Sequence, residues 1–335
     1  MCIRDRYLSG IEGVELIAVN TDQQSLKSIN ATEKIQIGKS LTRGGGSGSD
    51  PAIGEKAAEE DREIIESKLT GTDLLFITAG LGGGTGSGAS PVIADIARNK
   101  DILTIGVLIT PFDDELDEKK IAIVENSFDR IKDKVNAIVV IPNQKIYEVF
   151  DMNFTMDDAY REINEIIIKQ IKGIINMIVK VGRQNIDFQD VKTTLKESGN
   201  TFIGVSRGSG VDRAKKAFEE ALKNPFIGDV DLKGAKHILI NFTGQITLGD
   251  RKEIENIKKL TGKNASVKFG IVSDPSMGDQ IEVTILIAGI KRKEEVKSNS
   301  TIEESEKIDT MMIICLLYTS PSPRDLSTSR MPSSA

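Results

Sequence analysis

Histidine, cysteine and tryptophan are nearly missing from this chain of 335 residues, which has one histidine, two cysteines and no tryptophan. One histidine cannot furnish an HExxH zinc site or a multi-histidine metal cage, and any Ser-His-Asp triad would have to run through His237. That residue opens the apolar run His237-Ile238-Leu239-Ile240, which reads as the start of a strand. Cys2 and Cys315 lie near opposite ends of the chain. Neither a CxxC redox pair nor a disulfide framework can be read from them, and a reducing, cytoplasmic compartment fits. No apolar stretch approaches the ~20 residues of a membrane-spanning helix: Met311 to Tyr318 is too short, and Met1 to Arg6 lacks the apolar centre of a signal peptide. With 50 acidic side chains against 44 basic ones the net charge is −6, and no basic stripe with interleaved aromatics offers a nucleic-acid surface.

What is present is 39% apolar content and enough length for about two domains with a sizeable core. Between Val14 and Pro142, short β-rich runs alternate with helical stretches. Val14 to Val19, Leu74 to Ala79, Ile102 to Ile109 and Ala137 to Ile141 read as strands, and Ile53 to Leu69, Pro91 to Asn99 and Asp117 to Lys134 as helices. Strands so uniformly apolar are buried on both faces, which calls for a Rossmann-like parallel sheet between helices.

From Tyr160 onward Ile163, Ile167, Ile171, Ile174 and Ile178 recur at helical spacing, with Ile166, Ile168 and Ile175 widening the stripe into a long helix buried on more than one side. A second α/β unit follows. Its expected strands are Phe202 to Ser206, His237 to Phe242, Val267 to Val272 and Ile281 to Ile287, with helices at Asp212 to Leu222 and Arg251 to Leu260. Beyond Ile290 the chain turns charged and polar and reads as a flexible linker over 291–310. Pro321 to Ala335 show no periodicity and no packing logic, and residues 1–9 and 311–335 read as foreign sequence or, for the tail, a disordered segment.

The strongest chemical signal is Gly80-Leu81-Gly82-Gly83-Gly84-Thr85-Gly86-Ser87-Gly88, between a strand and a helix whose first turn is expected to hold Pro91. Amides at a helix N-terminus line an anion site favoured by the helix dipole, and glycine lets phosphate oxygens approach the backbone. A second loop, Gly44-Gly45-Gly46-Ser47-Gly48-Ser49, ends in Asp50 as a helix cap and Pro51 at the first helical position. Read blandly it is a mobile surface loop; read functionally it closes over terminal phosphates. Gly38-Lys39-Ser40 matches the end of a Walker A loop, but Glu33 stands where the first glycine belongs. Gly84-x-Gly86-x-x-Ala89, with Asp113 and Asp114 after the next strand, matches the dinucleotide fingerprint and keeps an NAD(P)-dependent oxidoreductase open as an alternative.

Gly82-Gly83-Gly84-Thr85-Gly86-Ser87-Gly88 resembles the phosphate-binding signature of the tubulin/FtsZ GTPase family. Ala18-Val19-Asn20-Thr21-Asp22, Pro111-Phe112, Ile141-Pro142-Asn143 and Asn185-Ile186-Asp187-Phe188-Gln189-Asp190-Val191 follow in the family's order. The resemblance implies a GTP-binding domain over 10–156, a central helix over 157–182 and an activation domain over 183–290, in a tubulin-like α/β fold. Such a protein forms head-to-tail filaments of itself in the cytoplasm at the mid-cell division site, has membrane-anchor and division-regulator proteins as partners, and hydrolyses GTP with Mg²⁺. Carried over by position, Gly82, Gly83, Gly84, Thr85 and Gly86 hold phosphates, and Gly46, Gly48 and Ser49 close near the terminal one. Glu115 and Lys119 face the ribose and phosphates, while Asn143, Tyr160 and Asn164 frame the guanine. Asn185, Asp187 and Asp190 would reach the nucleotide of an adjacent subunit as its catalytic loop.

Without the family, Asp187 and Asp190 read equally as a helix cap and a dipole-favouring acid. The chain departs from the family in three places. The first strand and first glycine-rich loop are replaced by Met1 to Ser9, lysine at 119 or 120 replaces arginine, and no anchor-recruiting peptide is recognisable after the linker. The missing loop leaves a further alternative, a subunit that assembles without GTP turnover.

Overall fold

A computed structural model describes residues 14–151, 153–180, 182, 184–196, 199–223, 235–260, 265–289 and 311–316. The expected foreign N-terminus, the linker 291–310 and the tail past 316 lie outside the described residues. Ten strands are found among those described: β1 Val14–Asn20, β2 Glu33–Gln36, β3 Leu74–Gly80, β4 Leu103–Thr110, β5 Ala137–Pro142, β6 Gly199–Ser209, β7 His237–Gly244, β8 Ser266–Ser273, β9 Gln280–Ala288 and β10 Met311–Leu316. The helices of seven residues or more are α1 Pro51–Glu60, α2 Arg62–Lys68, α3 Gly84–Asn99, α4 Glu118–Lys132, α5 Met156–Val179, α6 Phe188–Lys196, α7 Arg213–Leu222 and α8 Leu248–Leu260. The chain divides into two compact units, one of residues up to Lys134 together with Thr310 onward, the other Val135–Asp309.

The first unit carries a sheet in the order β2-β1-β10-β3-β4, every neighbour pair parallel. All seven residues of β3 are buried, and only Thr110 of β4 is not. That is the burial expected of strands covered on both faces.

Three elements differ from the sequence reading. The helix expected over Ile53 to Leu69 is two helices, α1 and α2, that meet at Asp61, whose φ of −105° and ψ of 21° are not helical. α3 begins at Gly84, so Pro91 is its eighth residue and not part of its first turn. The glycines there are part of the helix, and Gly84, Gly86 and Gly88 each lie too close to neighbouring backbone or side chains to carry a Cβ. Finally Met311–Leu316, expected to belong to a foreign or disordered tail, forms β10 in the middle of the sheet.

The second unit has the order β5-β6-β9-β7-β8, mixed in direction: β5 runs parallel to β6 and β7 to β8, while β9 is antiparallel to both of its neighbours. α5 runs 24 residues, capped by Thr155, whose side chain accepts from the Asp158 amide. Its Ile163, Ile167, Ile171 and Ile174 are buried, as are Ile168 and Ile175 from the widened stripe, while Ile166 and Ile178 are half-buried. Gly173 lets it approach β6 and β9 so closely that a Cβ there would meet Val205 and Thr284. Phe202, Phe242, Ile240, Ile285 and Phe218 form the core between this sheet and α7 and α8.

At one end of that sheet Arg213 ties three loops together. Its guanidinium donates to both carboxylate oxygens of Asp250 at 3.0 and 2.7 Å, to the Asp279 carboxylate and main-chain carbonyl, and to the carbonyl of Gln245. Burial pushes the Asp250 carboxyl upward, but its hydrogen bonds to Arg213 and Thr247 outweigh that and hold it below the ordinary aspartate value.

Candidate functional site

β3 runs out at Gly80, the amide of Leu81 bonds to the Ile109 carbonyl at 2.8 Å, and the backbone turns at Gly82, whose φ of +87° suits glycine. The Gly82 amide donates to Ser87 Oγ at 2.9 Å, so the Ser87 oxygen helps to hold the loop. Gly83 caps α3 from an extended conformation, and no side chain accepts from the first-turn amides. Those amides end a 16-residue helix at its positive pole.

The glycines of this run divide into two kinds. A Cβ on Gly84 would overlap Ser47 and Asp50, one on Gly86 the Gly80 carbonyl, and one on Gly88 the Pro51 carbonyl, while Gly54 of α1 is pressed equally hard on Gly84. These positions are glycine because the backbone of α3 lies against the end of β3 at Gly86, against the second loop at Gly84 and against α1 at Gly88. Gly83 is different, since nothing stands within 4 Å of where its Cβ would be. The open space lies beside the uncapped amides, where an anion would sit.

The second loop is not a loose surface segment. Gly45 bridges to Asp22, the Gln23 amide bonds to the Gly44 carbonyl at 3.2 Å, and Asp50 caps α1 by accepting from the Ala52 amide at 2.9 Å. Gly46, Gly48 and Ser49 all have φ between +56° and +85°. Left-handed Gly46 and Gly48 flank Ser47, and where left- and right-handed residues alternate neighbouring amides turn toward one concave side, the geometry of an anion nest. Ser49 holds that conformation without being glycine, a position few non-glycine residues adopt.

The two loops are joined by hydroxyls. Thr85 Oγ1 lies 2.7 Å from Thr21 Oγ1 and 3.1 Å from Ser47 Oγ, and all three residues are buried. Thus the end of β1, the first turn of α3 and the second loop meet at one atom. Thr21 and Ser47 were not among the site residues read from sequence, although Asn20-Thr21-Asp22 after a strand was a visible signal. α1 is further held to α4 by a two-pronged Arg130 to Glu55 pair at 2.9 and 2.5 Å, which keeps the Glu55 carboxyl below its ordinary value.

Glu115 is half-buried in a single 3₁₀ turn, Asp113–Glu115, directly after Pro111-Phe112. Lys119 is exposed in the first turn of α4, and Asp117 caps that helix by accepting from the Lys120 amide. The remaining sequence-derived residues belong to the second unit. Asn143 is buried at the turn that follows β5, and Tyr160 and Asn164 are half-buried one helical turn apart on α5.

Asn185, Asp187 and Asp190 share one loop and the start of α6. Asn185 Oδ1 accepts from the Gly182 amide at 2.6 Å, and Gln184 pins the loop to Ile271 of β8 by 3.4 and 2.8 Å backbone bonds. Asp187 Oδ1 accepts from the Asp190 amide at 2.7 Å, and Asp190 Oδ2 accepts in return from the Asp187 amide at 3.4 Å. This is a reciprocal cap, so the structural reading of these acids holds. Asp190 is also ion-paired with Lys268, whereas Asp187 is exposed.

The family description "Tubulin/FtsZ family, GTPase domain" matches residues 5–151, and "FtsZ family, C-terminal domain" matches residues 199–291. A curated relative, the cell division protein FtsZ of Buchnera aphidicola subsp. Acyrthosiphon pisum (strain APS), is 36% identical over 317 residues, 94% of this chain and 82% of the relative. The chain belongs to the tubulin/FtsZ family. The FtsZ of Coxiella burnetii is 38% identical over 291 residues, 86% of this chain and 75% of its own. Among solved structures, an empty FtsZ dimer from M. jannaschii superposes with a TM-score of 0.76 at 34% identity, covering 89% of this chain and 92% of that one. CetZ1 from Haloferax volcanii, at 22% identity and a TM-score of 0.72 over 86% of this chain and 90% of its own, shares the fold. Membership of a GTPase family leaves the oxidoreductase alternative without support, and the packing roles of Gly84 and Gly86 explain why its fingerprint matched. Among the described residues no helix is long and apolar enough to cross a membrane.

Proposed function

We propose that this chain is a polymerising GTPase of bacterial cell division, in which one subunit binds GTP and the next completes the hydrolytic site. The observation that carries the binding half is the open, uncapped start of α3 beside Gly83, facing no side chain of its own. The amides of Gly83, Gly84, Thr85 and Gly86, with Gly82 setting the turn, receive phosphate oxygens. Gly46, Gly48 and Ser49 meet the terminal phosphate through the nest of the second loop. Lys119 adds a positive charge from the first turn of α4, Glu115 takes the ribose, and Asn143, Tyr160 and Asn164 read the guanine.

Phosphoryl transfer needs positioned phosphates, neutralised charge and an oriented water more than covalent help. Mg²⁺ supplies charge neutralisation when bound, and it takes much of its octahedral shell from phosphates and water. Asp187 is the residue that orients the attacking water on the neighbouring subunit's nucleotide, because Asp190 is already paired with Lys268. Asn185 acts as a positioning residue by fixing the loop through the Gly182 amide. Filaments would form at the division site, brought to the membrane by anchor proteins.

The test is phosphate release against protein concentration. A rate per molecule near zero at high dilution, rising steeply beyond a threshold as filaments appear by electron microscopy, is the expected result. A flat rate across that range overturns the divided site, and filaments without phosphate release would leave a structural subunit in its place.

A further inference from the structure

Ser47 sits where the two glycine loops touch. It lies between left-handed Gly46 and Gly48, and its Oγ stands where a Cβ on Gly84 would be, against the first turn of α3. Its hydrogen-bond partner is Thr85 Oγ1 at 3.1 Å, which also lies 2.7 Å from Thr21 Oγ1. We propose that Ser47 is the side chain that tells a nucleoside triphosphate from a diphosphate, its hydroxyl donating to the terminal phosphate while its oxygen stays bonded to Thr85. The inference rests on the reading that the second loop meets the terminal phosphate, and it names the hydroxyl that distinguishes whether that phosphate is there.

Three observations carry it. The first is a count of protons. Thr21, Thr85 and Ser47 bring three hydroxyl protons to two mutual contacts, and these hydroxyls make no further hydrogen bond among the described residues, so one proton is left over. The second is burial. Thr21 is 0% exposed, against 6% for Ser47 and 8% for Thr85, so Thr21 has no route to water and must donate to Thr85. The surplus proton therefore lies toward the other end of the chain of hydroxyls. The third is direction. Hydroxyl bonds that run the same way polarise one another, and only Thr21 to Thr85 to Ser47 runs both bonds one way. That order ends in a Ser47 proton beside the uncapped start of α3, the side of the helix dipole that favours an anion. An ionised terminal phosphate strengthens this last bond by its charge, and the two hydroxyls behind Ser47 strengthen it again. A diphosphate is one phosphoryl group short and offers the Ser47 proton no such acceptor.

The test compares two affinities of the full chain, for GDP and for a non-hydrolysable methylene analogue of GTP, each measured by competition against a fluorescent guanine nucleotide. Ser47→Ala is expected to weaken the triphosphate analogue about 10-fold or more, the loss of one hydrogen bond to a charged group, and to leave GDP within about 2-fold. Thr85 keeps Thr21 as its partner in that variant, so thermal unfolding should show it folded. Ser47→Cys fills the same space with a weak donor and should weaken the analogue nearly as much, which excludes an effect of the lost volume. Equal losses for both nucleotides, or an unchanged ratio between them, would overturn the proposal. Gly48→Val separates that failure from failure of the second-loop reading, since it strains a left-handed position with open space around it. Loss of analogue affinity in Gly48→Val with none in Ser47→Ala would refute the role of Ser47 alone, whereas no loss in either would refute both.

Discussion

Asp187 is the residue at which capping and catalysis can be separated. Its Oδ1 takes the Asp190 amide at 2.7 Å, so alanine there removes a helix cap worth about 1 kcal/mol, while asparagine caps nearly as well as aspartate. Asn also keeps the size and the acceptor oxygen but loses the negative charge. If Asp187 only caps α6, Asp187→Asn should retain both stability and turnover. If it orients and polarises water on the neighbouring nucleotide, Asp187→Asn should lose about 10²-fold or more in kcat, near 2.7 kcal/mol at about 1.36 kcal/mol per decade, with stability changed by only a few tenths. Steady-state phosphate release above the assembly threshold, urea denaturation and a GTP-binding titration read the three quantities on one preparation. The expected pattern is intact binding, persistent filaments and lost turnover in both variants, with the alanine alone destabilised. Full turnover in Asp187→Asn would refute the catalytic assignment and leave the reciprocal cap as its role.

Gly83→Ala should leave stability within ~0.5 kcal/mol, since its Cβ meets nothing, yet weaken GTP binding at least ~10-fold; unchanged affinity would move the phosphates elsewhere. Gly86→Ala should instead lower the melting temperature sharply, because its Cβ overlaps the Gly80 carbonyl. Thr85→Val should cost about 1–3 kcal/mol by denaturation, having stranded the buried hydroxyls of Thr21 and Ser47, and Thr85→Ser should recover most of it. Arg213→Ala should cost about 3–5 kcal/mol at neutral pH, since it leaves the Asp250 carboxylate buried and unpaired, whereas Arg213→Met with Asp250→Leu should cost less than the single change. The Asp250 carboxyl is depressed in the fold, so its pairing stabilises above the unfolded value of about 3.9 and is lost as pH falls through the folded value. The Arg213→Ala penalty should therefore shrink below about pH 4, and a penalty constant with pH would contradict the ion-pair origin.

The boundaries that sequence reading placed well belong to elements whose side chains repeat. β1, β3, β4, β5, β7, β8 and β9 lie within two residues of the apolar runs that signalled them, and Asp50 with Pro51 marked the start of α1. β2 escaped because Glu33-Lys34-Ile35-Gln36 shows no apolar run, and it is a strand through its pairing with β1. α3 was placed seven residues late because proline was read as a first-turn residue and glycines as loop, although close contacts with β3, the second loop and α1 are what demand those glycines.

The sequence by itself determined the family, the two-unit α/β character and the positions of both glycine loops, since each is written in local composition and spacing. Tertiary structure alone decided which glycines serve packing and which face open space, that Thr21, Ser47 and Thr85 share a hydroxyl contact, and that Met311–Leu316 pairs with both β1 and β3. Those facts depend on groups as much as 297 positions apart in the chain, as Val14 and Met311 are, and no local pattern encodes a contact that only folding creates.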